Sequence, residues 1–249
     1  METIAILFIA ALWAGVQNAL AGGGSFVTLP ALMLSGLDAR AANIASTVAL
    51  FPGQTTTGWV GRRMVSGAAG LSFRTLFAIS LVGGVIGAFL LLATPSTFFA
   101  RLVPWLVLFA TALFAWGTWF RNPGEEGATV GPRTAAVIQF CIGVYGGYFG
   151  GGIGFLMLAV LTAAGVAVRS AGATKNVLAS VMNASAATVF VLTTAVPWPR
   201  VLVVAIGSAM GGFLGAHALK RVDERLIRIF VIVLGVVLTT ALFLRAGKS

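Results

Sequence analysis

The sequence predicts an all-α polytopic membrane protein with about eight transmembrane helices. They form two inverted repeats, each joining three spanning helices to a helix that is broken, or turned back, at a Gly-Gly-Gly run. Three observations predict it: composition, the length of the apolar runs, and an internal repetition. Of 249 residues, 59% are hydrophobic and 9% charged, with mean hydropathy +1.01. Soluble chains are about half apolar and about a quarter charged, so a soluble domain is excluded. Apolar runs of about twenty residues suit helices, whereas barrel strands alternate over about ten. The formal charge of +10 is spread singly or in small clusters between these runs. That pattern points to membrane topology and contact with anionic membrane lipids, and no nucleic acid is expected as a partner.

Taken in order, the apolar segments lie near 3–20, 25–36, 41–60, 73–93, 99–120, 134–149, 153–165, 170–195, 200–219 and 226–244. The segments at 25–36 and 153–165 are about 18 Å long as helix, too short for a hydrocarbon core of about 30 Å, so they read as half-helices. The first segment ends on Ala19-Leu20-Ala21, which imitates a signal-peptide cleavage site. No basic residue precedes it, and residues 1–21 are read as part of the mature fold. The long polar stretch from Arg121 to Pro132 divides the chain into a first repeat (1–120), a linker (121–132) and a second repeat (133–249).

Gly22-Gly23-Gly24 recurs as Gly150-Gly151-Gly152, and the run from Gly83 to Ala88 recurs from Gly211 to Ala216. Both pairs share one offset, since 150 − 22 and 211 − 83 each give 128. Two motifs at one offset mark an internal duplication. If each triplet merely kinks a spanning helix, a half has four crossings and the repeats are parallel. If the chain turns back there, a half has three and the second repeat is inverted. The inverted plan puts Arg62, Arg63, Arg74, Arg121, Arg133, Arg169, Lys220, Arg221, Arg225 and Arg228 on one side. Arg40, Arg101, Arg200, Arg245 and Lys248 fall opposite. This bias of ten to five favours inversion, with both termini periplasmic.

Three glycines in the interior of an apolar run break a helix, at about 1 kcal/mol each relative to alanine. Unpaired backbone at membrane depth is tolerated where it is buried in protein or lines a wet cavity. A half-helix begins after each break, at Ser25 and at Ile153, so free N–H groups and two positive dipole ends would face a central anion. On this reading a side chain at Gly23 or Gly151 would fill the space the anion needs. The competing explanation, close helix packing, fits Gly83-Gly84 and Gly211-Gly212 better. Gln17 precedes the first triplet and Tyr145 the second, at the same offset; Gln54 and Asn183 are equivalent near offset 129. Such groups can donate to an oxyanion, although interhelical hydrogen bonding is the commoner use of polar side chains in membranes. Lys175 differs, because a cation inside an apolar helix needs a partner or a task. The alternative for it is snorkelling to the basic interface near Arg169. His217 is read as interfacial, and Cys141 as a packed core residue. No metal-ligand cluster or nucleophile motif is evident, and no cofactor is expected.

From Ala21-Gly22-Gly23-Gly24-Ser25-Phe26-Val27-Thr28-Leu29-Pro30 and Gly143-Val144-Tyr145-Gly146-Gly147-Tyr148-Phe149-Gly150-Gly151-Gly152-Ile153-Gly154, the chain resembles the sulfite exporter TauE/SafE family of membrane permeases. The resemblance covers essentially the whole chain. The second half departs from it, with Leu158 where the first has Pro30. It implies export of sulfite, a sulfonate or a related sulfur oxyanion across the cytoplasmic (inner) membrane. The expected binding residues are Gly22, Gly23, Gly24, Ser25, Gly150, Gly151, Gly152, Ile153, Lys175, Gln17, Gln54, Tyr145 and Asn183. A passive small-anion channel, a permease for another organic anion and a membrane enzyme are the other classes. Oligomeric state, a homo-oligomer included, leaves no mark in the sequence.

Overall fold

The computed structural model describes residues 2–20, 22–119, 131–218 and 224–246. Among them are ten α-helices: α1 (Glu2–Leu20), α2 (Ser25–Leu34), α3 (Ala39–Gly61), α4 (Phe73–Ala93), α5 (Ser96–Trp119), α6 (Pro132–Tyr148), α7 (Ile153–Ala163), α8 (Val168–Thr193), α9 (Trp198–Ala218) and α10 (Glu224–Ala246). No strand occurs among the described residues. Nearly all of the linker read at 121–132, and the loop from Lys220 as far as Asp223, lie outside them. Five helices have a stretch long and apolar enough to cross a membrane, and α2 is a shorter apolar one. The chain is therefore a multi-pass helical membrane protein.

Local chemistry sets the boundaries. Asp38 accepts from the N–H groups of Arg40 and Ala41 and starts α3, and Ser72 accepts from Thr75 and starts α4. Pro132 opens α6, where its missing N–H is no loss. Gly36, at φ +97°, stops α2.

Packing fixes the helix directions. α1 and α9 run parallel along a small-residue seam in which Gly207 faces Ala11, Gly211 faces Leu12 and Gly215 faces Val16. α6 and α4 also run parallel, with Gly83 against Gly143 and Gly87 against Gly147. Without side chains at these points the backbones approach closely, as membrane helices require for dispersion contact. α3 and α8 are antiparallel: Gln54 meets Asn183, Thr55 meets Ser180 at 3.0 Å, and Gly61 meets Ala173. α5 and α10 are antiparallel too, with Trp105 on Phe243 and Thr111 on Gly235.

The loops gather at two opposite ends of α3. At the first face Arg200 donates to the Ser35 carbonyl at 3.0 Å, and Arg40 to the Thr94 carbonyl at 2.9 Å, closing the ends of α2 and α4. At the second face the turn at 65–72, held by paired Ala68 and Leu71, borders the α7–α8 loop, and Gly70 abuts Pro132. α1 starts at the first face, since it runs with α9, and α2 ends there. The chain thus turns back at the first glycine triplet. Phe26, Phe99, Phe149 and Phe190 are fully buried, whereas Leu192 and Phe89 point outward, 78% and 54% exposed. Cys141 corrects the sequence reading: it is exposed beside Val137 and Phe140 on the outer side of α6. An apolar helix run does not say which of its sides meets lipid.

Candidate functional site

Both glycine breaks meet in the interior. A methyl group on Gly154 would lie 3.4 Å from the Gly22 Cα and 3.6 Å from the Lys175 Nζ. Between them is a cavity lined by Gly22, Gly23, Gln54, Gly150, Ile153 and Lys175 among others. About 20 Å³ of it is open to the centre of a water molecule, room for about one water.

Backbone geometry makes the breaks. Gly22 (φ +93°), Gly23 (φ +79°), Gly150 (φ +74°) and Gly152 (φ +78°) are left-handed, a conformation that L side chains resist. In the first break the Gly22 N–H turns back to the Gln17 carbonyl at 2.9 Å, and the Gly24 N–H goes to Asn18 Oδ1 at 2.7 Å. Gln17 is buried; its Nε2 donates to the Gly23 carbonyl at 3.1 Å, and its Oε1 has no partner. At the second break Gly152 caps α7 without any side-chain bond. Among the described residues no acceptor takes the N–H of Gly23, Ile153 or Gly154, and all three line the cavity. Two helix starts with unfilled donors thus converge on one space.

Among the described residues Lys175 is the one buried Lys or Arg, 4% exposed, and it forms no hydrogen bond or ion pair there. It sits two turns into α8, beside the start of α7. Asp38 is occupied in capping α3 at the first face, and Glu2 opens α1. The cavity therefore carries a cation and helix-start donors with no carboxylate among its lining residues.

The remaining expected residues divide. Gln54 and Asn183 hydrogen-bond each other across the α3–α8 contact, and Gln17 supports the first break from behind. Tyr145 is not brought to the cavity: its hydroxyl donates to the Leu106 carbonyl at 3.5 Å and its ring packs on Phe109 and Phe149. Gly24 is packed against Ala14 and Asn18, Gly151 faces the Phe149 ring, and Gly152 faces Ala110. Ser25 opens α2 outside the lining. Asn18, Thr57, Asn176 and Gly154 also line the cavity. Thr57 was signalled by its place one turn beyond Gln54, and Asn176 by its equivalence to Thr47 at offset 129. Gly154 carried no separate signal within so glycine-rich a run.

A helical bundle clad in apolar side chains, with a polar, cationic cavity at its centre, is the architecture of a membrane transporter. The family model described as sulfite exporter TauE/SafE matches residues 7–242, and the chain belongs to that family. It is 27% identical over 243 residues to the probable membrane transporter protein YfcA of Escherichia coli K12, covering 96% of this chain and 89% of that one. It is 29% identical over 244 residues to the probable membrane transporter protein ORF9 of Sinorhizobium sp, covering 96% and 92%. A probable membrane transporter protein of Haemophilus influenzae is 24% identical over 249 residues, covering 99% and 97%.

Proposed function

We propose that the protein is a secondary transporter that exports sulfite, a sulfonate or a related sulfur oxyanion across the cytoplasmic membrane by alternating access. The observation that carries this reading is Lys175, buried with no partner among the described residues, beside two helix starts whose donors find no acceptor there. In low dielectric an ammonium and two positive dipole ends need an anion. Lys175 supplies charge, the N–H groups of Gly23, Ile153 and Gly154 supply directed donors, and Gln54, Thr57 and Asn176 complete the polar wall. A sulfur oxyanion is larger than the present space, so its entry requires the walls to part. That favours a carrier cycling between forms over a standing pore.

The architecture we infer is an inverted duplication of eight crossings. Its support is the relation of equivalent helices: α3 and α8, and α5 and α10, cross antiparallel, and Gln54 bonds its own counterpart Asn183. That is how a two-fold axis in the membrane plane would place them. Exposed Arg62, Arg63, Arg74, Arg133 and Arg169 lie at the second face. Arg40, Arg101 and Arg200 lie at the first, where Arg40 and Arg200 are spent on carbonyls. The second face is cytoplasmic by this bias.

Calorimetric titration of purified protein with sulfite and with a sulfonate tests the site. Lys175→Gln should weaken binding by roughly thirtyfold or more, the effect of about 2 kcal/mol. Lys175→Arg should retain part of the affinity, since the charge stays while the donor geometry changes. Unchanged affinity in the glutamine variant would remove Lys175 from the site. Single-channel currents in planar bilayers would replace the carrier with a channel.

A further inference from the structure

The two ends of the broken helix pairs are not alike in chemistry, and the end of α6 presents acceptors rather than donors. The N–H groups of Phe149 and Gly150 both turn back to the Tyr145 carbonyl, at 2.9 Å and 3.3 Å. The Gly146 carbonyl, which Gly150 would serve in a continuing helix, therefore has no donor among the described residues. Asn183, 3% exposed, gives its Nδ2 to Gln54, and its Oδ1 is buried without a partner among the described residues. Thr47, 5% exposed, donates its hydroxyl hydrogen to the Asn43 carbonyl at 3.0 Å, so its oxygen has lone pairs to offer.

These three oxygens surround one point. A methyl group on Gly150 would lie 3.4 Å from the Gly146 oxygen, 3.7 Å from Asn183 Oδ1 and 3.8 Å from Thr47 Oγ1. The space is open because residue 150 is glycine at φ +74°. The three nearest atoms are all oxygens, and the point lies at the negative end of the α6 dipole. A buried acceptor left empty costs about 1–3 kcal/mol, and two of these three, the Gly146 carbonyl and Asn183 Oδ1, have no donor among the described residues, so the point calls for an occupant. None is a carboxylate, which disfavours a divalent ion and leaves no group to carry a proton. Neutral oxygens at a broken helix end suit a small monovalent cation.

We propose that Gly146, Thr47 and Asn183 form a sodium site at the wall of the central cavity, and that sodium binding is coupled to oxyanion binding. The coupling half rests on the transport reading above; the site itself does not. Gly150 borders both the site and the cavity that holds Lys175, so a bound cation and a bound oxyanion attract one another. Each raises the affinity of the other.

The test uses the full-length protein in detergent, without any oxyanion. Its thermal midpoint is measured while sodium chloride replaces choline chloride at constant ionic strength, with potassium chloride as a third arm. A saturating rise with sodium is expected. It should vanish in Thr47→Val and return in Thr47→Ser, which restores the oxygen. Wild-type protein with no sodium-specific rise, as a water in this position predicts, would overturn the site, and so would an equal response to potassium. Coupling is read separately by calorimetry: sulfite should bind at least about fivefold more tightly in sodium than in choline. Equal affinities would overturn coupling. A sodium response in protein that binds no oxyanion would uphold the site and reject the transport reading.

Discussion

Glycine serves two purposes in this protein, and a single methyl group separates them. On Gly84 it would meet the Met182 carbonyl at 2.8 Å and press on the Ser185 hydroxyl, both from α8. On Gly172, inside α8, it would meet nothing within 4 Å. Gly84→Val should therefore prevent folding, seen as lost monodisperse protein in gel filtration. Gly172→Ala should raise the thermal midpoint, since alanine gains up to about 1 kcal/mol in a helix. The break glycines form another group. Gly23 and Gly150 are held at positive φ, so even alanine strains the backbone by about 1–2 kcal/mol. Gly23 and Gly151 look equivalent in the sequence as anion-facing positions, but Gly151 faces the Phe149 ring. The side of a glycine that faces a cavity depends on its φ and its neighbours, and neither is encoded by the letter G.

Element by element, the sequence was more informative about where helices stop than about which side of each turns inward. The half-helix at 25–36 is observed as Ser25–Leu34 and that at 153–165 as Ile153–Ala163, because glycine runs and short length are written directly in the chain. Tyr145 shows the opposite case. Its offset from Gln17 implied a shared role, yet its ring turned toward α5 and joined an aromatic cluster. Similarly, Asn18 stood beside Gln17 in the first break, and only the fold distinguishes their tasks. Asn18 Oδ1 accepts the N–H of Gly24, the cap residue of α2. Asn18→Ala should cost about 1 kcal/mol, as loss of an N-terminal cap does. It should lower the thermal midpoint, whereas Asn18→Asp, which keeps the acceptor, should lower it less. Equal losses in both variants would mean that the side chain matters for packing rather than for the cap.

At the scale of the whole molecule, the proposed transport cycle depends on the direction in which each helix crosses the membrane. α3 leaves the first face and reaches the second, and its counterpart α8 travels the other way beside it, Gly61 against Ala173 and Gln54 against Asn183. On the proposed inverted plan, in which the chain turns back at each triplet, each half would keep an odd number of crossings and the two halves would open the cavity to opposite sides by the same movement. The prediction concerns accessibility. In a Cys141→Ser background, cysteine at Thr97, exposed in the first turn of α5 at the first face, should react with an impermeant thiol reagent added to intact cells. Cysteine at Met64, 43% exposed at the second face, should react only after the membrane is opened. The two positions flank α4 and neither touches the cavity lining, so transport assays can confirm that each variant is assembled. If the two label from the same side, α4 does not cross, and the argument for inversion from charge and from helix direction fails together. If both label on opposite sides but with the order reversed, the crossings stand and the basic face is periplasmic, which would reverse the membrane orientation inferred from the arginine bias.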